Sequence, residues 1–320
     1  MTSADASARE DVERRLQSLP KASLKAKMVS RLVRMVVKRW PRGKPVAMVK
    51  HARRVLGLAS IFSRLHTSET LISDVKENGV RGEWIVPRVC SSPEKAILYL
   101  HGGGYVSCSP TTHRVITCSL ARMAGVRVFA LDYRLAPEHP FPVAIDDAQA
   151  AYQWLLEQGI KPHNLALAGD SAGGGLVIAT LIRLREKQLK LPACGACFSP
   201  WVDLTGTCEY RNTESCAMFR STDVGAFAVV YLGSAARDLP EVSPIFADLS
   251  GLPHCSSRRA AQSCCLMSCA AAREGFSRRR HHHIEHLSRC STRMASLYWP
   301  DPGIQRSPAG GREVHPRPPF

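Results

Sequence analysis

One short segment, Gly169-Asp170-Ser171-Ala172-Gly173, constrains the fold of this chain more than any other. The run Leu165-Ala166-Leu167-Ala168 before it is typical of a buried strand, and residues 174–185 after it have a helical pattern. A serine between a strand and a helix lies on a sharp, strained turn that lifts its hydroxyl above the edge of the sheet. Glycine is needed two residues to either side, because side chains there would collide with the neighbouring strand and helix. The segment therefore predicts an exposed nucleophile, Ser171, with the N–H of Ala172 directed at a reacting carbonyl.

A second glycine-rich segment, His101-Gly102-Gly103-Gly104, follows another apolar run, Ala96–Leu100. Glycines at such a place let the backbone approach a substrate and turn its N–H groups toward a developing oxyanion. A lone G-x-S-x-G segment would leave open the structural alternative that Ser171 is an ordinary turn serine. Two such motifs, each directly after a strand-like run, instead favour a serine nucleophile beside a backbone oxyanion site.

Two further segments, Asp132–Glu138 (DYRLAPE) and Ser199–Leu204 (SPWVDL), complete a set of four motifs in order. With these motifs the chain resembles the hormone-sensitive-lipase-like branch of the α/β-hydrolases over roughly residues 80–253. That branch contains bacterial carboxylesterases and acetyl-hydrolases. The resemblance implies an α/β-hydrolase fold, in which a mostly parallel central sheet is flanked by helices and carries a small N-terminal helical cap.

The resemblance also implies a role for the residues of the first two motifs. Ser171 would be the nucleophile, and the N–H groups of Gly102, Gly103 and Ala172 would form the oxyanion hole. The other motif residues would support this site; they are His101, Gly104, Gly169, Asp170 and Gly173. The resemblance implies no cofactor and no metal.

The two acidic segments are expected to have structural roles. Asp132–Glu138 is predicted to be a loop beside the site that serves packing and ion pairing. The same is expected of Asp203, although an acid after that strand can also orient a histidine.

The reaction implied by the resemblance is serine hydrolysis of a carboxylic ester with a short acyl chain or an acetyl group, through an acyl-enzyme. Removal of an acetyl group from nitrogen in a biosynthetic intermediate is the runner-up, since the same serine chemistry serves both reactions. A catalytically inactive binding protein on the same fold is the alternative from another class. In each case the expected partner is a small ester or acetylated molecule.

Length and composition indicate a globular protein. A chain of 320 residues can bury a single sizeable core with a small cap. No run approaches the roughly 18 apolar residues of a membrane-spanning helix, and the first residues have no signal-peptide pattern. Twelve cysteines without such a signal indicate free thiols in a reducing compartment. We therefore expect a cytoplasmic protein; whether it forms a homo-oligomer stays open.

The net charge of +16 is concentrated outside the predicted catalytic body. Residues 21–54 hold twelve lysines and arginines and no acid. Apolar residues recur there at helical spacing; they are Met28, Leu32, Met35 and Val36. Such a basic amphipathic helix can form part of the cap, which we favour, or can lie weakly on an anionic membrane surface. Nucleic acid is not an expected partner, because no aromatic-interleaved basic motif is present.

Three regions follow from the patterns along the chain. Residues 1–72 are predicted to be the helical cap region, divided by the breaker segment Pro41–Pro45. Residues 73–253 are predicted to be the α/β-hydrolase core, because strand-like and helical runs alternate there. Residues 254–320 are an anomalous tail dominated by Arg, Ser, Cys, His and Pro, in which no strand-like apolar run is visible.

The tail matters because a serine nucleophile needs a histidine to accept its proton, and the histidine usually needs an acid. In this fold both partners follow the serine in chain order, so they are expected beyond residue 250. The family pattern stops abruptly after Pro253. The triad acid and histidine are therefore unassigned in this numbering.

A shift of reading frame accounts for the tail. Residues 254–269 can be back-translated with permitted codons that, read one nucleotide earlier, encode a buried strand and a loop with a glutamate across Gln262 and Ser263. Residues 292–296, read one nucleotide later, encode His-Val-Trp-His, which resembles the family's catalytic-histidine motif. Since the two readings need different frames, a second shift near residues 270–273 is implied. We predict that the tail is out of frame relative to the family.

The tail as printed leaves weaker alternatives. One alternative is a metal site, because histidine and cysteine side chains of the tail can bind metal ions. Their spacing matches no familiar zinc site. The candidates are His281, His282, His283, His286, Cys264, Cys265 and Cys269. Another is that a histidine among residues 281–286 serves Ser171, with Glu274 or Asp301 as the acid. If the printed chain is what cells make, we predict an incomplete sheet, exposed apolar surface and no activity.

Overall fold

The computed structural model describes residues 45–63, 67–206 and 221–258. Its strands are β1 (Thr70–Glu77), β2 (Val80–Pro87), β3 (Ala96–Leu100), β4 (Arg127–Leu131), β5 (Leu165–Asp170), β6 (Cys194–Phe198) and β7 (Cys255–Arg258). Its α-helices are α1 (Pro45–Gly57), α2 (Ala59–Ser63), α3 (Arg114–Ala124), α4 (Val143–Glu157), α5 (Ala172–Glu186) and α6 (Ser221–Leu232).

The seven described strands form one sheet in the order β1-β2-β4-β3-β5-β6-β7. The strands from β4 to β7 are parallel, whereas β2 is antiparallel to both of its neighbours. Parallel strands need crossover connections, which α3, α4 and α5 supply between β3, β4, β5 and β6. The prediction of a mostly parallel sheet flanked by helices is confirmed.

The sheet is buried on both faces, and its side chains alternate between two apolar layers. In β3 every residue is buried. Leu98 and Leu100 belong to the layer that α4 and α5 cover, whereas Ile97 and Tyr99 belong to the layer under α3. This double burial explains why β3 reads as a continuous apolar run and not as an alternating one.

The predicted elements of the core are present with small changes at their ends. The predicted runs at residues 96–100, 165–168 and 193–198 correspond to β3, β5 and β6, and the helix predicted after the elbow is α5. Four elements were not predicted, namely β1, α3, α6 and β7. The half-exposed strand β1 pairs with β2 over its full length, so that backbone pairing and not an apolar run accounts for it.

The end of the described chain differs from the prediction that residues beyond 253 hold no strand. Strand β7 pairs in parallel with β6, with Cys255 opposite Gly195, and the Cys255 side chain is buried. A four-residue strand at the edge of a sheet forms through backbone hydrogen bonds, which need no apolar periodicity in the sequence. The predictions for residues 259–320 lie outside the described residues.

Helix α1 packs against the body of the protein through Met48, Val49 and Ala52, which are buried in the main core layer. It contacts α6. The amphipathic pattern around Met28 to Val36 lies outside the described residues. Within the described ranges, no helix is both long enough and apolar enough to cross a membrane.

A buried ion-pair cluster holds α5 in place. The Arg183 guanidinium donates two hydrogen bonds to the Glu241 carboxylate, each 2.5 Å long, and a third to Asp146 on α4. Its side chain is 10% exposed, and burial of the charge is tolerated because both carboxylates face it. The cluster fixes the helix that begins directly after Ser171.

Candidate active site

Ser171 occupies the turn between β5 and α5, with φ 51° and ψ −119°. A non-glycine residue in this region is strained, and such strain persists only where the surroundings determine the conformation. Three backbone hydrogen bonds do so here. The Ser171 N–H donates to Phe198 O at 2.9 Å, and Ser171 O accepts from Gly175 N at 3.1 Å and Trp201 N at 2.8 Å.

The glycines on either side of the turn are required by close backbone contacts. A β-carbon on Gly169 would lie 2.5 Å from Gly173 O and 2.6 Å from Leu100 O. A β-carbon on Gly173 would lie 2.6 Å from His101 O and closer still to Leu100 O. These atoms belong to the neighbouring strand and the following helix, as the sequence predicted.

The sheet topology brings the two glycine-rich motifs together. The chain leaves β3 toward β4 on one side and later returns to β5 on the other side, so that the strand order reverses between β3 and β5. Ligands of open α/β sheets bind at the carboxyl ends of the strands at such a reversal. Leu100 pairs with Gly169, and residues 101–104 therefore emerge beside Ser171.

The loop after β3 has a backbone conformation that suits glycine. Gly103 has φ 118° and Gly104 has φ 65°. The carbonyl oxygen of Gly103 accepts the N–H of Val106 at 3.2 Å, the N–H of Ser107 at 3.1 Å and the hydroxyl of Ser107 at 2.8 Å. These hydrogen bonds fix the Gly103 carbonyl, and they therefore also fix the direction of the Gly104 N–H, which belongs to the same peptide plane.

The structure corrects the prediction for Gly102. Its N–H donates to Asp170 Oδ1 at 3.0 Å, so this N–H is already engaged by a carboxylate and is not a free oxyanion donor. By contrast, the N–H groups of Gly103, Gly104 and Ala172 donate no hydrogen bond to any described residue. The unengaged donors near Ser171 are therefore displaced by one glycine relative to the prediction.

Asp170, the residue before the serine, is the centre of a buried polar cluster. Besides Gly102 N–H, its Oδ1 accepts the Tyr99 hydroxyl at 2.7 Å and faces His113 Nε2 at 3.4 Å. Burial alone would raise the pKa of Asp170, but His113, the Tyr99 hydroxyl and the Gly102 amide outweigh it and hold the pKa below its ordinary value. Asp170 is therefore a carboxylate at neutral pH.

His101 is a supporting residue of the same loop. Its ring stacks on Tyr133 at 4.3 Å, and its Nδ1 lies 2.7 Å from Gly102 O. Burial, with a smaller contribution from His113, lowers the pKa of His101 to about 3. The ring is therefore neutral, and its Nδ1–H donates to Gly102 O.

A group of aromatic side chains surrounds Tyr105, the residue after the glycine loop. Tyr105 follows the glycines with φ 62°, and its ring stacks on Tyr231 of α6 at 3.8 Å. Trp201 lies 6.0 Å from Tyr105. Sequence reasoning missed Tyr231, His113 and Tyr99, because each reaches the site through a contact between elements distant in sequence.

The two acidic segments have structural contacts. Glu138 forms a two-pronged ion pair with Arg53 of α1, at 2.8 and 2.6 Å, and Arg134 pairs with Asp147 at 2.6 Å. Asp203 is buried, and its Oδ1 accepts the backbone N–H of Thr205 at 2.7 Å. These contacts agree with the interpretation of both segments as packing and ion-pairing elements.

The triad histidine and acid are not assigned among residues 45–63, 67–206 and 221–258. In these ranges no three His, Cys, Asp or Glu side chains come together as a metal-ligand set. The tail candidates, His281, His282, His283, His286, Cys264, Cys265, Cys269, Glu274 and Asp301, lie outside the described residues.

Comparison with known proteins identifies the class that the elbow and sheet define. Residues 97–261 match a family model described as alpha/beta hydrolase fold. The match covers more than half of the chain, and this protein belongs to that family.

Individual relatives agree with this assignment. The chain is 43% identical over 173 residues to an acetyl-hydrolase of Streptomyces hygroscopicus, covering 53% of this chain and 57% of the relative. It is 38% identical over 185 residues to an esterase of Acinetobacter venetianus, covering 57% of this chain and 60% of the relative. The chain thus spans less than two thirds of the length of these curated relatives.

A solved structure covers more of the chain. An esterase from the bacterial hormone-sensitive lipase family superposes with a TM-score of 0.73 at 34% identity, over 87% of this chain and 97% of that one.

Proposed function

We propose that this protein is a serine hydrolase that cleaves carboxylic esters through an acyl-enzyme. The observation that carries the proposal is the strained Ser171 on the elbow, beside backbone N–H groups of Gly103, Gly104 and Ala172 that have no described partner. A hydroxyl and a set of free donors on one side of a sheet match what acyl transfer requires. The similarity to an acetyl-hydrolase and to esterases supports the same chemistry.

In the proposed reaction, the Ser171 oxygen attacks the ester carbonyl as its proton passes to the proposed triad histidine, which then gives the proton to the leaving alcohol. The tetrahedral oxyanion accepts hydrogen bonds from the free N–H groups of the loop and of Ala172, which are held rigidly before the reaction begins. Water then cleaves the acyl-enzyme and regenerates the serine. No step of this sequence needs a metal or a cofactor.

Short acyl or acetyl groups are the proposed substrates. The names of two relatives, acetyl-hydrolase and esterase, support this choice. Removal of an acetyl group from nitrogen is the second candidate, because the same nucleophile and donors serve an amide.

We propose that the histidine and acid come from the segment after β7, in the reading frames described above. The family match supports this proposal, because it ends at residue 261 and leaves out most of the printed tail. A catalytically inactive binding protein is the alternative if the printed tail is what cells make.

Labelling with a fluorophosphonate tests the proposed function. The wild-type protein, expressed from the natural gene after its reading frame has been established by sequencing, should be labelled once, at Ser171, and should hydrolyse p-nitrophenyl acetate. Ser171→Ala should abolish both signals. Ser199→Ala provides a matched control, because Ser199 also has positive φ after a strand but lies outside the elbow. A folded wild-type protein that neither reacts with the probe nor turns over esters would contradict the proposal and favour the binding protein.

A further inference from the structure

The carboxylate of Asp170 joins the two halves of the candidate site. Asp170 is the last residue of β5 and immediately precedes Ser171, whereas its partner Gly102 follows β3. The pairing of β3 with β5 ends at Leu100 and Gly169. Beyond that pair, the described contact that connects the glycine loop to the strand of the elbow is the hydrogen bond from Gly102 N–H to Asp170 Oδ1, at 3.0 Å.

The fit around this contact is close. A β-carbon on Gly102 would collide with Asp170 Oδ2 and would lie 3.0 Å from Asp170 O. Glycine at this position therefore serves the approach of a carboxylate, and not the approach of a substrate. The Gly102 amide is thus engaged by Asp170, whereas the amides of Gly103 and Gly104 donate to no described residue and remain available beside Ser171.

The carboxylate itself is held from two other sides. Tyr99 on β3 donates its hydroxyl to Oδ1 at 2.7 Å, and His113, in the turn before α3, lies 3.4 Å from the same oxygen. A buried carboxylate is stabilised only when such donors surround it. These two side chains fix the direction of the carboxylate.

We infer that Asp170 is a positioning residue, which holds the glycine loop against the elbow so that the amides of Gly103 and Gly104 face the oxygen of the reacting carbonyl. This inference rests on the proposed function for its kinetic consequence. The hydrogen bond itself can be measured whether or not the protein is an esterase.

The kinetic test compares Asp170→Ala with Asp170→Asn. Alanine removes the acceptor of the Gly102 N–H, and we expect kcat per fluorophosphonate-labelled site to fall by about 10²-fold, the effect of losing one oxyanion donor. KM should change little, since the oxyanion forms only in the transition state. Asparagine keeps an acceptor oxygen and should restore part of kcat.

Asp147→Asn is the matched control, because Asp147 forms an ion pair with Arg134 away from the loop. It should leave kcat unchanged. A merely structural role of Asp170 would lower the fraction of labelled sites and the melting temperature but not kcat per labelled site, and that result would overturn the inference.

A second measurement does not depend on activity. The sequence contains a single His-Gly step, His101-Gly102, so labelling histidine carbonyls with ¹³C and glycine amides with ¹⁵N selects the Gly102 amide in an NMR spectrum. Its proton should resonate downfield in the wild type and in Asp147→Asn, and should move upfield in Asp170→Ala. An unchanged Gly102 resonance in Asp170→Ala would overturn the inference.

The two readouts separate the inference from the proposed function. If the wild type has no esterase activity but the Gly102 resonance moves in Asp170→Ala, the proposed function fails and the hydrogen-bonded loop stands. If the resonance moves and kcat per site does not, the positioning role is wrong and the esterase assignment stands.

Discussion

At the scale of single residues, chemically identical backbone N–H groups have different roles in this site. Gly102 and Gly103 are adjacent glycines in one motif, yet one N–H is engaged by a carboxylate and the other has no described partner. The motif indicates that the backbone at these glycines approaches another group closely, but it does not indicate whether that group is a protein side chain or a substrate. His101 and Asp170 also differ in charge. Burial keeps His101 neutral, whereas the groups around Asp170 outweigh burial and keep its carboxylate charged.

A pH dependence of stability follows from His101. Its pKa of about 3 in the folded protein lies below the ordinary value of 6.5, so the unfolded chain binds a proton in this window and the native state does not. The His101 contribution to stability is therefore present above about pH 6.5 and is lost as the pH falls toward 3. One such proton corresponds to roughly 1.4 kcal/mol of unfolding free energy per pH unit.

Urea unfolding at about pH 7 and about pH 5 measures this effect. His101→Gln should reduce the slope of unfolding free energy against pH, because the unfolded variant no longer takes up the proton that His101 binds. The reduction should approach the roughly 1.4 kcal/mol per pH unit that one proton contributes. His163→Gln, at an exposed position, is the control and should leave the slope close to that of the wild type. Equal slopes for wild type and His101→Gln would contradict a neutral, buried His101.

At the scale of elements, helix α1 is attached to the loops of the site by one side chain. Arg53 donates Nε–H to Val106 O at 2.7 Å and a guanidinium N–H to Ala136 O at 3.0 Å, besides its ion pair with Glu138. Val106 N–H in turn bonds to Gly103 O. These contacts support the cap interpretation for residues 45–57; the membrane alternative concerns a segment that lies mostly outside the described residues.

Glu138→Gln tests the attachment of α1. Arg53 bonds Glu138 and lowers the pKa of this carboxyl to about 2 from an ordinary 4.5. The stability from this pair is therefore present above about pH 4.5 and is lost as the pH falls toward 2. Because the pair is exposed, Glu138→Gln should lower stability at pH 7 by less than about 1 kcal/mol.

Melting temperatures between pH 7 and pH 3 report this difference. The gap between wild type and Glu138→Gln should narrow through the acidic window, and salt should reduce it at pH 7. Glu157→Gln, an exposed residue with no ion pair to a described residue, is the matched control. A gap that does not change with pH would show that Glu138 acts through packing and not through charge.

At the scale of the whole molecule, the position of the site follows from the strand order. The reversal between β3 and β5 places two motifs 70 residues apart at one edge of the sheet, as the pairing of Leu100 with Gly169 and of Tyr99 with Ala168 shows. The parallel sheet continues through β6 to β7, the last described strand, which lies at the start of the tail. This position of β7 is consistent with our proposal that the triad histidine and acid are supplied by the chain that follows it.

Resequencing the gene across codons 250–320 tests this conclusion. We expect corrected frames that encode a strand from residue 254, followed by an acid and a His-x-x-His motif. With them the esterase should be fully active, since the histidine would accept the serine proton. A single uninterrupted frame through codons 250–300 would contradict the frame-shift prediction and leave Ser171 without its usual partners.

The sequence by itself determined the local parts of this protein: the strand, elbow and helix around Ser171, the glycine loop at residues 101–104, and the alternation of strands and helices. These features depend on steric limits and on apolar periodicity within a few residues, so they can be deduced from neighbouring letters. Only the tertiary structure decided that Gly102 serves Asp170, that Tyr99 and His113 contact this carboxylate, and that β1 and β7 join the described part of the sheet. Such contacts join residues far apart in the chain, and no local pattern records which donor meets which acceptor once the strands have paired.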